Sequence, residues 1–206
     1  MLTLYHTSHC PNCHAQEKIL QQLQITDPTL QVQTVNLETS PDVQLTPPIQ
    51  SVPTLVINDY RFEGLLTATE IRKWLGPENY DRDYIKTLLK SGQLNTAVSW
   101  LQQHPAALDV ITELLADESV ELTVRVGLDA LIEQLATSGD LSALTHPLGK
   151  LLDTVADSLS IDILHYLAMI GSADAQQYIQ TCLQRSHPEV RRTVRELLDE
   201  LSAPEN

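Results

Sequence analysis

The apolar pattern of this chain changes once, near Gly76-Pro77, and the change divides it into two folding units of different class. Upstream of that point, short β-rich runs alternate with segments of helical period. Downstream, strand signals vanish and apolar residues recur at helical spacing almost to the end. A helix-period pattern cannot lie flat in a sheet, nor a period-2 pattern on a helix. The expectation is therefore an α/β domain over residues 1–76 and an all-α domain over 80–206.

In the first half, Leu2–Tyr5 reads as a strand. From Cys13 to Leu23, apolar Ala15, Ile19, Leu20 and Leu23 share one helix face. Gln31–Leu37 reads as a second strand. Thr54–Ile57 and Tyr60–Glu63 flank Asn58-Asp59, a tight hairpin turn. Gly64 breaks the last strand, and Thr67-x-x-Glu70 is a capping box opening a helix with Ile71, Trp74 and Leu75. The order is β-α-β-β-β-α. Pro41, Pro47 and Pro48 argue against a long helix between Glu38 and Gln50.

In the second half one spacing repeats. It occurs at Val120/Val124/Leu128/Leu131, at Leu159/Ile163/Leu167/Ile170 and at Val190/Val194/Leu198/Leu201, with first positions 39 and 31 residues apart. Intervening helices carry Leu144/Leu148/Leu151/Leu152/Val155 and Ala175/Tyr178/Ile179/Cys182/Leu183. Helix pairs at this period predict an α-solenoid, each pair burying its apolar face on its neighbours.

Hydrophobic residues make up 42% of the 206, enough for packed cores, while aromatics supply only 4%. The formal net charge is −14, and an acidic surface repels nucleic acid and anionic lipid. Neither is expected as a partner. The helical half carries most of the charge, 20 acidic against 9 basic residues beyond position 76. Arg191, Arg192 and Arg195 read as a solvated face, with anion binding the sharper alternative. Met1 leads directly into a strand-like run with no signal-peptide features, and no apolar run is long enough to span a membrane. A cytoplasmic location is expected. There a Cys-x-x-Cys is more often redox-active or metal-binding than a permanent staple.

Cys10-Pro11-Asn12-Cys13 follows a strand and opens a helix, and Ser51-Val52-Pro53-Thr54 precedes another strand. Pro11 fits a first helical turn. A thiol attacks as thiolate, and unpaired N–H groups at a helix start favour that charge at Cys10. His9 and His14, if protonated, would add to it; as ordinary exposed residues they would not. With Tyr5 and with Gly64 before the last helix, these motifs make residues 1–76 resemble the thioredoxin superfamily, most closely its small glutaredoxin-like members. The helical half resembles HEAT-like repeats, best at "HPEVRRTVRELLDEL".

The resemblance implies a thiol–disulfide oxidoreductase acting on a protein disulfide with an unidentified electron donor. Cys10 attacks and Cys13 resolves the mixed disulfide. Pro53 is cis and faces the pair, supported by Pro11, His9 and His14, while Val52, Thr54 and Asn12 meet the substrate. The helical repeats dock the partner. No cofactor is called for, and the oligomeric state is left open. His9 stands where thioredoxins proper carry Trp, and Thr7-Ser8 where glutathione-using relatives carry a basic residue. Two other readings remain. In one, His6, His9, Cys10, Cys13 and His14 hold a metal, for which zinc needs about four converging ligands. In the other, the chain is a non-catalytic scaffold. Cys182 reads as a buried, inert thiol.

Overall fold

The fold is that of a computed structural model, which describes residues 1–139, 141–185 and 187–202. It comprises two compact units, Met1–Tyr80 and Asp81–Asn206. The expected last residues, 203–206, lie outside the described part.

In the first unit, β1 (Leu2–His6) is followed by α1 (Pro11–Thr26), β2 (Val32–Asn36), β3 (Thr54–Ile57), β4 (Tyr60–Glu63) and α2 (Ala68–Trp74). The strands form one mixed sheet in the order β2-β1-β3-β4. β1 pairs parallel with β2 through the α1 crossover and antiparallel with β3, and β3 and β4 form the hairpin. Asn58 takes φ 53°, as its turn position requires.

Side-chain alternation assigns the two faces. Leu2 and Leu4 pair with Ile57 and Leu55, which pair in turn with Tyr60 and Phe62. These line the face that packs on α1 and α2, where Leu20, Leu23, Ile71 and Trp74 are buried. Burying each of these large apolar side chains is worth about 1.5–3 kcal/mol. The Phe62 and Trp74 rings meet at a tilt of 45° with centroids 4.8 Å apart. The opposite face carries Thr3, Val56 and Arg61 in one row. No helix forms between Glu38 and Gln50, as the prolines predict. Instead Arg61, nearly buried, donates to the carbonyls of Pro47 and Pro48, holding the 41–50 loop to β4.

The expected face of α1 is partly corrected. Ala15 and Ile19 are only half-buried, and Gln16 is fully buried in their place. Its amide donates to the Leu66 carbonyl at 3.2 Å and accepts the Leu66 N–H at 2.8 Å. Both polar ends are satisfied, which is what makes a buried amide tolerable.

The second unit is helical: α3 (Asp81–Lys90), α4 (Leu94–Gln103), α5 (Asp109–Ala116), α6 (Leu122–Ser138), α7 (Thr145–Leu151), α8 (Asp157–Ile170), α9 (Ala173–Thr181) and α10 (Pro188–Ser202). Each helix meets the one two places on. α3, α5, α7 and α9 form one row of contacts, and α4, α6, α8 and α10 the other. The three repeats read from the sequence fall on α6, α8 and α10, successive neighbours in one row, except that Val120 lies just before α6 begins. Val124, Leu128, Ile163, Leu167, Val190 and Val194 are buried as that spacing requires. Two ends differ from expectation. α7 stops at Leu151 and turns at Leu152–Thr154, with the Leu151 carbonyl accepting both the Thr154 and Val155 N–H groups at 3.0 and 3.1 Å, so Val155 lies beyond the helix. α9 stops at Thr181, and Cys182–Gln184 form a 3₁₀ turn. Tyr84, Trp100 and Tyr166 are buried in this unit, with the Tyr84 and Trp100 rings 5.3 Å apart. Arg192 pairs on α10 with Glu189 and Glu196 at 3.6 and 3.7 Å. Among the described residues no helix is long and apolar enough to cross a membrane.

Candidate active site

α1 begins where β1 ends, and the turn between them is tied down twice. The Leu37 N–H donates to the His6 carbonyl at 2.9 Å, and the Ser8 N–H to the Glu38 carboxylate at 2.9 Å. Ser8 also receives the Asn36 side-chain amide at 3.0 Å. These bonds from Ser8 hold the Glu38 carboxyl below its usual range, with the charge of His9 adding to them. The chain thus reaches Cys10 in a fixed direction.

Cys10 is the N-cap of α1, with extended backbone, and Pro11 occupies the first turn. The Cys10 Sγ accepts the Cys13 backbone N–H at 3.0 Å. An N-cap oxygen ordinarily takes this role. Here a sulfur takes it, and Cys10 and Cys13 are joined as a disulfide with Cα atoms 5.2 Å apart. The two sulfurs differ in access. Cys10 is half-buried, and Cys13 is fully buried.

The third element is the turn before β3. The Val52-Pro53 peptide is cis, and the Val52 carbonyl oxygen lies 3.7 Å from the Cys10 Sγ. Thr54, fully buried, donates its hydroxyl to the Ser51 carbonyl at 2.6 Å. The Gly64 N–H donates to the Pro53 carbonyl at 2.8 Å, and Gly64 reaches that position with φ 101°, open to glycine. The Glu63 carboxylate takes the Ser51 hydroxyl at 3.1 Å and pairs with Arg61. Val52 is half-buried and Asn12 exposed beside the pair.

This geometry sets the chemistry. The Cys13 N–H aimed at the Cys10 sulfur and the positive end of the α1 dipole would both favour an anion there on reduction of the disulfide. The Val52 carbonyl opposes it, but from 3.7 Å against 3.0 Å. The nearer donor dominates. Residues 3–76 match the family model for a thioredoxin domain. A search of the curated proteins finds no match to the chain. The first unit is therefore a thioredoxin-like fold carrying a Cys-x-x-Cys pair, and it is followed by a helical unit.

In this thioredoxin-like unit His9 is exposed, and His14 pairs with Glu17 at 3.6 Å. Among the described residues no group of three or more His, Cys, Asp or Glu is arranged to hold a metal ion. Sequence reasoning did not single out Gln16, Glu38 or Glu63. Gln16 had one available signal, a polar residue three places after Cys13 at a position that the helix buries.

Proposed function

We propose that the protein is a thiol–disulfide oxidoreductase acting on a disulfide of another protein. The observation that carries this reading is the Cys10 sulfur serving as the N-cap acceptor of α1 while Cys13 lies buried beneath it. The Cys10 thiolate attacks the substrate disulfide, forming a mixed disulfide and releasing one substrate thiol. Cys13 then attacks the Cys10 sulfur, the pair closes, and the second substrate thiol leaves. A dithiol donor returns the pair to the reduced state. Val52, on the turn facing the sulfur, and exposed Asn12 meet the substrate segment, while Pro53 and Pro11 fix the backbone on either side; Thr54, expected to meet the substrate too, is fully buried and instead holds the turn through its hydroxyl on the Ser51 carbonyl.

The helical unit selects the partner. Its two-row contacts support a repeat module of the HEAT kind, and such modules bind proteins along an extended face. Its acidity favours a partner with a basic surface. Cytoplasmic residence fits a reductive role for the pair.

Insulin-disulfide reduction by the full chain with a dithiol donor tests the chemistry. Wild type accelerates it, and Cys10→Ser falls to the rate of the donor alone. Equal rates in the two proteins remove Cys10 as the nucleophile.

A further inference from the structure

Residues 37–53 join β2 to β3 without helix or strand. A structureless loop in a compact domain seldom exceeds about 12–15 residues unless it binds something or is disordered. This one is pinned at several points. Glu38 accepts the Ser8 N–H, Arg61 donates to the carbonyls of Pro47 and Pro48, and the Gln50 N–H donates to the Glu63 carboxylate at 3.3 Å. Within the loop lies an open hollow of about 580 Å³, walled by Leu37, Val43, Leu45, Pro48 and Ile49 among others. A mostly apolar concavity of this size is what a ligand site requires. Leu37, Val43, Leu45 and Ile49 are each only half-buried, so their apolar surface is left unfilled.

Sheet topology sets this loop beside the cysteine pair. β2 is parallel to β1 with Asn36 opposite His6, and β3 is antiparallel with Thr54 opposite Tyr5. The loop therefore leaves and re-enters the sheet at the end where β1 delivers the chain to Cys10. Ile49 stands three residues before Val52, a span of at most about 11 Å. The Val52 carbonyl is 3.7 Å from the Cys10 sulfur. An extended segment held at that sulfur reaches the hollow within about five residues. Charge narrows what it brings there. No charged residue is among the described residues that line the hollow, and its neighbours along the chain, Glu38 and Asp42, are acidic. Arg61, the cation beneath the loop, is nearly buried and bound to Pro47, Pro48 and Glu63. An anionic occupant such as glutathione finds no cation in these walls, whereas an apolar side chain finds unfilled apolar surface.

We propose that this hollow is a specificity pocket, which takes a large apolar side chain such as Leu, Ile or Phe standing within about five residues of the substrate cysteine. The inference rests on the oxidoreductase reading above. The helical unit chooses the protein, and the hollow chooses which disulfide within it. The Val52 turn holds the segment at the sulfur while the apolar side chain anchors it at a fixed distance along the chain. Burial of that side chain supplies binding energy that a glycine in its place lacks. Because Glu38, Arg61 and Glu63 already hold the loop, little ordering is left to pay on binding.

A peptide series tests the pocket. Full-length protein with a dithiol donor reduces symmetrical disulfides of a Gly/Ser peptide carrying one cysteine. Leu is placed in turn at each position up to about five residues from that cysteine, on both sides. At one or more positions Leu should raise kcat/KM at least about 10-fold over the plain peptide, the scale on which apolar pockets discriminate. Glu at the same position should bring no gain, and glutathione disulfide should be a poorer substrate than the Leu peptide. Val43→Trp fills the hollow and Leu45→Ser strips one wall. Each should abolish the preference for Leu while reducing the plain peptide at the wild-type rate, which serves as the folding control. A wild type that reduces all the peptides equally well overturns the pocket and leaves the oxidoreductase reading standing. A preference for Leu that survives in both variants also overturns it. A wild type that reduces neither the peptides nor insulin overturns both readings.

Discussion

Cys10 and Cys182 sit at opposite ends of helices, and the contrast is what the proposed reactivity of Cys10 rests on. Cys10 caps the start of α1, half-buried, with a backbone N–H aimed at it. Cys182 follows the last residue of α9, at the negative end of its dipole. It is 2% exposed. Burial pushes its thiol up, against smaller pulls from Arg185 and Thr181. The residue type is the same in both places. The helix end and the access to water are reversed.

The largest expected effects come from removing each sulfur in turn. Serine at position 10 keeps an N-cap acceptor and a good capping residue. Cys10→Ser should therefore lose all disulfide reduction while the reduced protein keeps its stability. Cys182→Ser should do the opposite, since a hydroxyl forced into that buried site costs about 1–3 kcal/mol while activity is untouched. Urea unfolding of the reduced proteins beside the insulin assay reads both. A Cys182→Ser protein that loses activity at full stability would break the contrast.

A smaller effect isolates capping without chemistry. α2 starts with an oxygen cap, the Thr67 hydroxyl accepting the Glu70 N–H at 3.3 Å while the Glu70 carboxylate returns to the Thr67 N–H at 2.8 Å. Thr67→Ala should cost about 1 kcal/mol, measured by urea midpoint, with Cys10 reactivity unchanged.

The smallest effect lies in the helical unit. Asp117 is held down to about 2 from 3.8, first by the Ser119 hydroxyl and N–H and then by Arg82. A carboxyl depressed on folding stabilises the protein above its ordinary value, and that contribution is lost as the pH falls through the folded one. The stability gap between wild type and Asp117→Asn should therefore close between about pH 4 and pH 2. A gap that stays constant across that window would detach Asp117 from acid stability.

Much of the site was legible because its signals are local. Cys10 to Cys13 carry their own cap and helix start. Asn58-Asp59 and Gly64 bound β3 and β4 where the sequence places them. Residues whose partners are distant in sequence were not legible. Gln16 answers to a backbone 50 residues away, and Arg61 to a proline loop 13 and 14 residues before it. Helix ends in the second unit differ where a turn replaces the last helical turn although the apolar period runs on, as at Leu152–Val155 after α7 and at the 3₁₀ turn Cys182–Gln184 after α9. The cis state of Pro53 came from family resemblance, since X-Pro bonds alone favour trans.

The central claim concerns the anion at Cys10, and thiol alkylation reads it directly. Reduced full-length protein is treated with iodoacetamide from pH 5 to 10, and modification is assigned to each cysteine by mass. Cys10 should reach its half-maximal rate at least about one pH unit below the ordinary thiol value of about 8.5, with Cys182 unmodified until the protein unfolds. A Cys10 profile centred at or above that ordinary value would contradict the account.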